Sequence, residues 1–276
     1  MFDFLQYEYI QYALGIGLAL GISAAFISPY LVFTEQALIA DGLAHVSFTG
    51  IIIGVLLSSQ PLYFAIPFSI LATIFIKFLG EVKSINGDAA IGVVSSSALA
   101  IGFIIISISD GFNRSIEGML VGSILTIPKS DLIIAYIVAI IVIVFITIFY
   151  RPLLSLTFDK EYAAFSKVKT RILSYIIAVL TTLFVVIGVS TIGILLISAL
   201  IIFPSLIASQ LSHSFKSTLI IGAIVSSITV VFGIILSYFL GTPAGSTIVV
   251  VYLGILLAIL FINKLKKGAF LRKKNV

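Results

Sequence analysis

The chain has 276 residues, is 61% hydrophobic and 10% charged, and carries a formal net charge of +5. A soluble domain is about 25% charged, so a mean hydropathy of +1.29 excludes a water-facing surface and leaves an integral membrane protein. There is no cysteine, which excludes a disulfide framework and any thiolate metal site. The positive charge collects between apolar stretches and in the tail "NKLKKGAFLRKKN", where it reads as a topology signal rather than a nucleic-acid footprint, and no nucleic-acid partner is expected.

The opening "MFDFLQYEYI" has acids where a secretory signal has a basic region, so no cleaved peptide is expected. A helix needs about 20 mostly apolar residues to cross the hydrocarbon core. Nine stretches qualify, roughly 10–31, 37–58, 61–79, 88–108, 131–150, 172–189, 191–211, 217–240 and 246–263. Little more than "GVST" separates the sixth from the seventh, so that pair reads either as two spans or as one span plus a re-entrant piece. The runs are continuous and lack the alternation of a membrane barrel. The expected fold is an all-α polytopic membrane protein with eight or nine transmembrane helices.

Orientation follows from the basic residues. With the N-terminus outside, Lys77 and Lys83 flank one cytoplasmic loop, Arg151, Lys160, Lys167, Lys169 and Arg171 fall in the next, and Lys216 in a third. The C-terminus is then cytoplasmic, with Arg114 and Lys129 the main basic residues left outside. The longest polar stretches, 109–130 and 151–171, are too short to fold alone, so residues 1–276 form a single transmembrane domain whose spans cover about 10–263 and whose basic tail is 264–276. No Walker, HExxH or Ser/His/Asp pattern occurs in recognisable context. Energy for any transport must come from an ion gradient or from another subunit.

"ADGLAHVSFTG", residues 40–50, places Asp41 and His45 at the head of a membrane-length segment. Residues four apart lie about 40° around a helix, so both side chains leave from one face. Carboxylate and imidazole suit zinc, manganese or ferrous iron. Two ligands are too few for such an ion, and a two-fold axis beside this helix would double them. The plainer alternative is an Asp–His hydrogen bond within the helix near the membrane surface.

"LTFDKEYAAFSKVKTR", residues 156–171, has acids at Asp159 and Glu161 and bases at Lys160, Lys167, Lys169 and Arg171, with Tyr162, Ala163, Phe165 and Val168 among them. Acids first and bases last suit a helix dipole, so the segment reads as a short interfacial helix on the cytoplasmic side, or else as an ordinary solvated loop. Small-residue pairs at Gly17 and Gly21, Gly50 and Gly54, Gly118 and Gly122, and Gly241 and Gly245 permit close helix approach. "GTPAGS", 241–246, is a turn between spans; Pro204 lies within a span; His213 belongs to a polar loop and reads as solvated.

Four stretches resemble the membrane subunit of metal-ion ABC importers, the zinc and manganese permeases of the ABC-3 type. "ADGLAHVSFTG" is similar to that family's GDxLAHxxLxG, and "DAAIGVVSSSALAIG" to its D-x-x-x-G stretch opening a span. "GILLISALIIFPSLIAS" resembles G-x-LL-x-x-AL-x-x-P-A-A-x-A, and "TPAGSTIVV" resembles TPAGPxI. The likeness covers about residues 12–262. Ala40, Ser205, Leu206 and Ser246 depart from the usual residues, and Lys167 falls where relatives commonly carry glycine.

The resemblance implies a permease that works as a homodimer in the plasma membrane, with a cytoplasmic ATP-binding subunit and an extracytoplasmic metal-binding protein as partners. It implies that Asp41 and His45 are half of a transient metal site at the dimer axis, the metal being cargo rather than a permanent cofactor. It also implies that 156–171 is the coupling helix, with Asp159, Glu161, Ala163 and Phe165 at the ATPase contact. The chain is then a transport subunit and not itself an enzyme. The rival from another class is a proton- or sodium-coupled secondary transporter using the same Asp/His pair as a relay.

Overall fold

The computed structural model describes residues 6–58, 60–82, 85–109 and 129–274, with side chains to residue 266. Among the described residues there are helices and turns but no strand. The helices are α1 (Glu8–Val32), α2 (Leu38–Leu57), α3 (Leu62–Gly80), α4 (Gly87–Ile108), α5 (Lys129–Ile148), α6 (Tyr150–Phe158), α7 (Lys160–Phe165), α8 (Thr170–Ile192), α9 (Ile194–Leu211), α10 (Phe215–Leu240) and α11 (Ala244–Lys274). Nine of these are long and apolar enough to cross a membrane: α1 to α5 and α8 to α11. Arg114, Gly118, Gly122 and Lys83 lie outside the described residues.

Turn chemistry sets the boundaries. Ser214 caps α10 in a reciprocal box with Ser217, and Gly241 closes the same helix in the left-handed conformation, φ +64°. Between α8 and α9 a single residue, Gly193, has φ +88° and ψ +164°, a combination that only glycine adopts without strain. The place a side chain would occupy at Gly188 is filled by Ile197, so the chain folds back at Gly193. "GVST", residues 188–191, thus lies inside the end of α8, and Gly193 separates two helices that are each long and apolar enough to cross a membrane.

α1, α2, α8 and α9 are buried over most of their length, whereas α3, α4, α5, α10 and α11 expose much of theirs. The exposed side chains are themselves large and apolar, among them Leu71, Phe75, Ile104, Ile140, Ile228 and Phe261. A helix apolar all round with an outward apolar face is solvated by lipid. α1 packs against α5, α9 and α10, while α2 packs against α3, α4, α8 and α9, so these consecutive helices serve different sides of the bundle.

Two of the expected small-residue pairs make close contacts. A Cβ at Gly50 would lie 2.8 Å from Ala65 Cα, and one at Gly54 would meet the Pro61 backbone, which brings α2 and α3 to backbone contact. Gly17 and Gly21 face Val230, and Ser226 Oγ donates to Gly21 O at 2.8 Å, joining α1 to α10. Pro204 lies buried inside α9.

At one end of the bundle the α1–α2 turn, the C-terminus of α3, the first turn of α8 and the α9–α10 turn come together around α6 and α7. Phe33 stacks on Phe158 with ring centres 6.2 Å apart, and Phe215 meets both rings as well as Tyr30.

Candidate functional site

α2 presents three faces. Gly42 packs on Ile91, and Thr49 Oγ1 donates to Ala98 O at 2.7 Å, which fixes one face to α4. Ser47 and Ser69 share a 3.3 Å hydroxyl contact beside the Gly50–Ala65 approach, which fixes a second face to α3. Asp41 and His45 occupy the third face, towards α9 and open space.

His45 Nε2 stands 3.7 Å from Asp41 Oδ2, beyond hydrogen-bond range. The side chains are 30% exposed for His45 and 52% for Asp41, so the pair is accessible from one side of the chain. Ser198 Oγ donates to Asp41 Oδ1 at 3.1 Å, leaving Oδ2 towards the imidazole. His45 Nδ1 is buried without a hydrogen-bond partner among the described residues. The arrangement offers one carboxylate oxygen and one imidazole nitrogen side by side, with the carboxylate oriented from behind by a hydroxyl. Among the described residues no three His, Cys, Asp or Glu side chains converge, so the Asp41–His45 pair by itself is an incomplete coordination shell.

Ser198 is the residue that sequence reasoning missed. It lies in α9 just past the Gly193 break, 157 positions from Asp41. The expected motif "GILLISALIIFPSLIAS" contains it, but nothing in the spacing pairs that serine with α2.

The segment 156–171 is not one helix. α6 runs to Phe158, Asp159 adopts an extended conformation and caps α7 by accepting from Tyr162 N at 2.8 Å, and α7 ends at Phe165. Glu161, Tyr162 and Phe165 face outward, and Phe165 is 87% exposed. Ala163 is fully buried inside this chain, so it supports α7 rather than lying on its surface. Lys167 has φ +61°, with Val168 N donating to Ala163 O and Lys167 N to Ala164 O, the left-handed exit that glycine makes most easily. His213 is exposed in the α9–α10 turn, as expected for a solvated residue.

A polar cavity of about 640 Å³ opens at the same end of the bundle, lined by Gln36, Lys77, Glu81, Asp88, Lys160 and Arg171 and reaching Ile39 on α2.

Comparison with known proteins gives a consistent result. The model of the ABC 3 transport family matches residues 6–263. The manganese transport system membrane protein MntC of Listeria monocytogenes is 28% identical over 271 residues, covering 98% of this chain and 96% of that protein. A Haemophilus influenzae protein named "Probable iron transport system membrane protein" is 28% identical over 280 residues, covering 98% and 95%. Among solved structures, PsaBC from Streptococcus pneumoniae in complex with Fab superposes with a TM-score of 0.84 at 29% identity, covering 95% of this chain and 94% of that one.

Proposed function

We propose, on the premise that the chain belongs to the ABC 3 transport family, that Asp41 and His45 bind a divalent transition-metal ion during ATP-driven import. The chain is a multi-pass membrane permease. Two copies form the path, each supplying one Asp and one His, which doubles an incomplete pair to four protein ligands. The ion is cargo, and the site must release it as well as bind it. Half-exposed ligands oriented by a single serine suit that better than a closed, saturated shell would.

The observation that carries this reading is the Asp41–His45 pair, open on one side, with its carboxylate held by Ser198 and not by the histidine. The charged end of the bundle with α6 and α7 is the cytoplasmic end, which sets the N-terminus outside and the C-terminus inside. The outward face of α7, Glu161, Tyr162 and Phe165, is where a separate ATP-binding subunit docks, with Asp159 holding the helix start. An extracytoplasmic metal-binding protein delivers the ion to the opposite end. The relatives are named for manganese and iron, and an Asp/His donor set also accepts zinc.

The test is uptake into proteoliposomes holding the permease with its ATPase subunit, using manganese, ferrous iron and zinc as probes. Uptake is expected to require ATP and the ATPase, and to survive collapse of proton and sodium gradients. Uptake driven by an ion gradient without the ATPase would replace this reading with the secondary transporter.

A further inference from the structure

Ser69, Thr73, Lys77 and Glu81 recur at four-residue spacing and so run as one stripe along α3 and its C-cap. Each makes a hydrogen bond outside α3. Ser69 meets Ser47 of α2 at 3.3 Å, and Thr73 meets Thr182 of α8 at 2.6 Å. Lys77 Nζ donates to Gln36 Oε1 in the α1–α2 turn at 3.0 Å and to Ser174 Oγ of α8 at 3.3 Å. Glu81 accepts from Arg171 Nη2 at 2.6 Å, from Arg171 Nε at 3.1 Å and from the Tyr175 hydroxyl at 3.2 Å. The stripe stitches α3 to α8 at three levels.

Helix stability does not account for the outermost pair. Glu81 puts a carboxylate at the carbonyl end of α3, and Arg171 puts a guanidinium in the first turn of α8, the unfavourable end of each macrodipole. Arg171 is largely exposed and Glu81 partly so, where an ion pair contributes little to stability. What the bidentate geometry does is fix the end of α3 to the start of α8. Lys77 sits at the favourable end of α3, half-buried, and divides its donors between α8 and the residues leading into α2.

α8 is joined to α7 by a short, hydrogen-bonded link, with Thr170 N donating to Val168 O and Leu173 N to Lys169 O. Its far end turns at Gly193 into α9, whose Ser198 reaches Asp41. α8 therefore connects to the head of α2 from both ends, through Lys77 and Gln36 at its start and through Ser198 beyond its finish.

We propose that α8 is the rigid lever carrying displacement of α7 to Asp41, that the Arg171–Glu81 pair pins the lever to α3, and that Lys77 and Ser198 are the positioning residues at its two outputs. This rests on the reading that Asp41 and His45 bind the transported ion.

The experiment measures manganese ions moved per ATP hydrolysed by the complete transporter in proteoliposomes. Lys77→Met and each single exchange, Glu81→Arg and Arg171→Glu, are expected to keep ATP hydrolysis while lowering ions per ATP about fivefold or more. Lys77→Arg keeps a donor and is expected to retain coupling. The double exchange restores the pin and is expected to recover coupling over either single variant. Because the chain lacks cysteine, Glu81→Cys with Arg171→Cys and a short bis-maleimide tests rigidity directly. A rigid lever keeps transporting when cross-linked; arrest on cross-linking means that α3 and α8 slide, and overturns the proposal. Parental ions per ATP in Lys77→Met and both single exchanges would overturn the lever alone. A parental complex that moves no manganese, iron or zinc would overturn the Asp41–His45 reading, and the lever with it.

Discussion

Ser198 on α9 holds the carboxylate of Asp41 on α2 by a 3.1 Å hydrogen bond, while His45, one turn away on the same helix, stands 3.7 Å from the carboxylate's other oxygen. The residue that orients the acid is thus distant in sequence, and the neighbour along the helix is left free to act beside it. Removing the hydroxyl leaves Asp41 charged but unheld. Ser198→Ala is expected to raise the half-saturating manganese concentration for uptake by about tenfold, the usual effect of losing a group that orients a metal ligand. Ser198→Thr, which keeps a hydroxyl, should sit close to the parent. A concentration series with an unchanged midpoint in Ser198→Ala would show that the contact does not govern binding.

Phe165 and Ala163 of α7 are expected to behave in opposite ways. Phe165 is 87% exposed, so Phe165→Ala should alter the stability of this chain by no more than about 0.5 kcal/mol. If Phe165 docks into the ATPase subunit, as an exposed aromatic anchor would, its loss should weaken association by about 2 kcal/mol, read as loss of the ATPase on co-purification in detergent. Ala163 has no exposed surface, so Ala163→Arg buries a charge inside this chain and should lower the amount of folded protein in the membrane. Full expression of Ala163→Arg would contradict the packing of α7.

The spans were legible in the sequence because the bilayer imposes a length and an unbroken apolar composition, and helix ends at Gly241 and Ser214 carry recognisable capping residues. Asp41 and His45 were legible because their spacing matches one helical turn. Ser198 was not, since a serine in an apolar helix is ordinary and only the fold-back at Gly193 brings it to α2. The break at Asp159 had a signal that the charge pattern obscured: an Asp directly before Lys160 and Glu161 is an N-cap, which starts a second helix instead of continuing the first. The burial of Ala163 depends on what lies behind α7, which no local pattern records. Lys167 shows the reverse case, because a lysine where relatives commonly carry glycine already marked the position now found at φ +61°.

The α2–α3 contact should tolerate no side chain at position 50. Gly50→Val places a branched side chain where a Cβ alone would lie 2.8 Å from Ala65 Cα, and backbone cannot swing aside as a side chain can. Overpacking of this kind costs about 1–3 kcal/mol. The contrast is Gly92 on α4, which has nothing within 4 Å of its added Cβ, so Gly92→Ala should be neutral or stabilise by up to about 1 kcal/mol through helix propensity. Thermal unfolding of the detergent-solubilised protein compares the two directly, and a Gly50→Val protein as stable as the parent would rule out the close approach.

Asp41 and His45 lie on an accessible face of α2, so both are expected to be replaceable without unfolding the protein. Asp41→Asn keeps size and the acceptor for Ser198 while removing the charge, and His45→Ala removes the only imidazole on that face. Loss of a ligand should exceed the roughly 10–100-fold penalty for losing a group that merely orients one, so uptake of manganese, iron and zinc should fall to background in both variants. A His45→Glu variant that retains uptake should favour manganese over zinc, since carboxylates suit the harder ion. Parental uptake rates in His45→Ala, matched for membrane expression and for bound ATPase, would leave the pair as two polar residues near a helix start and remove the metal site from α2.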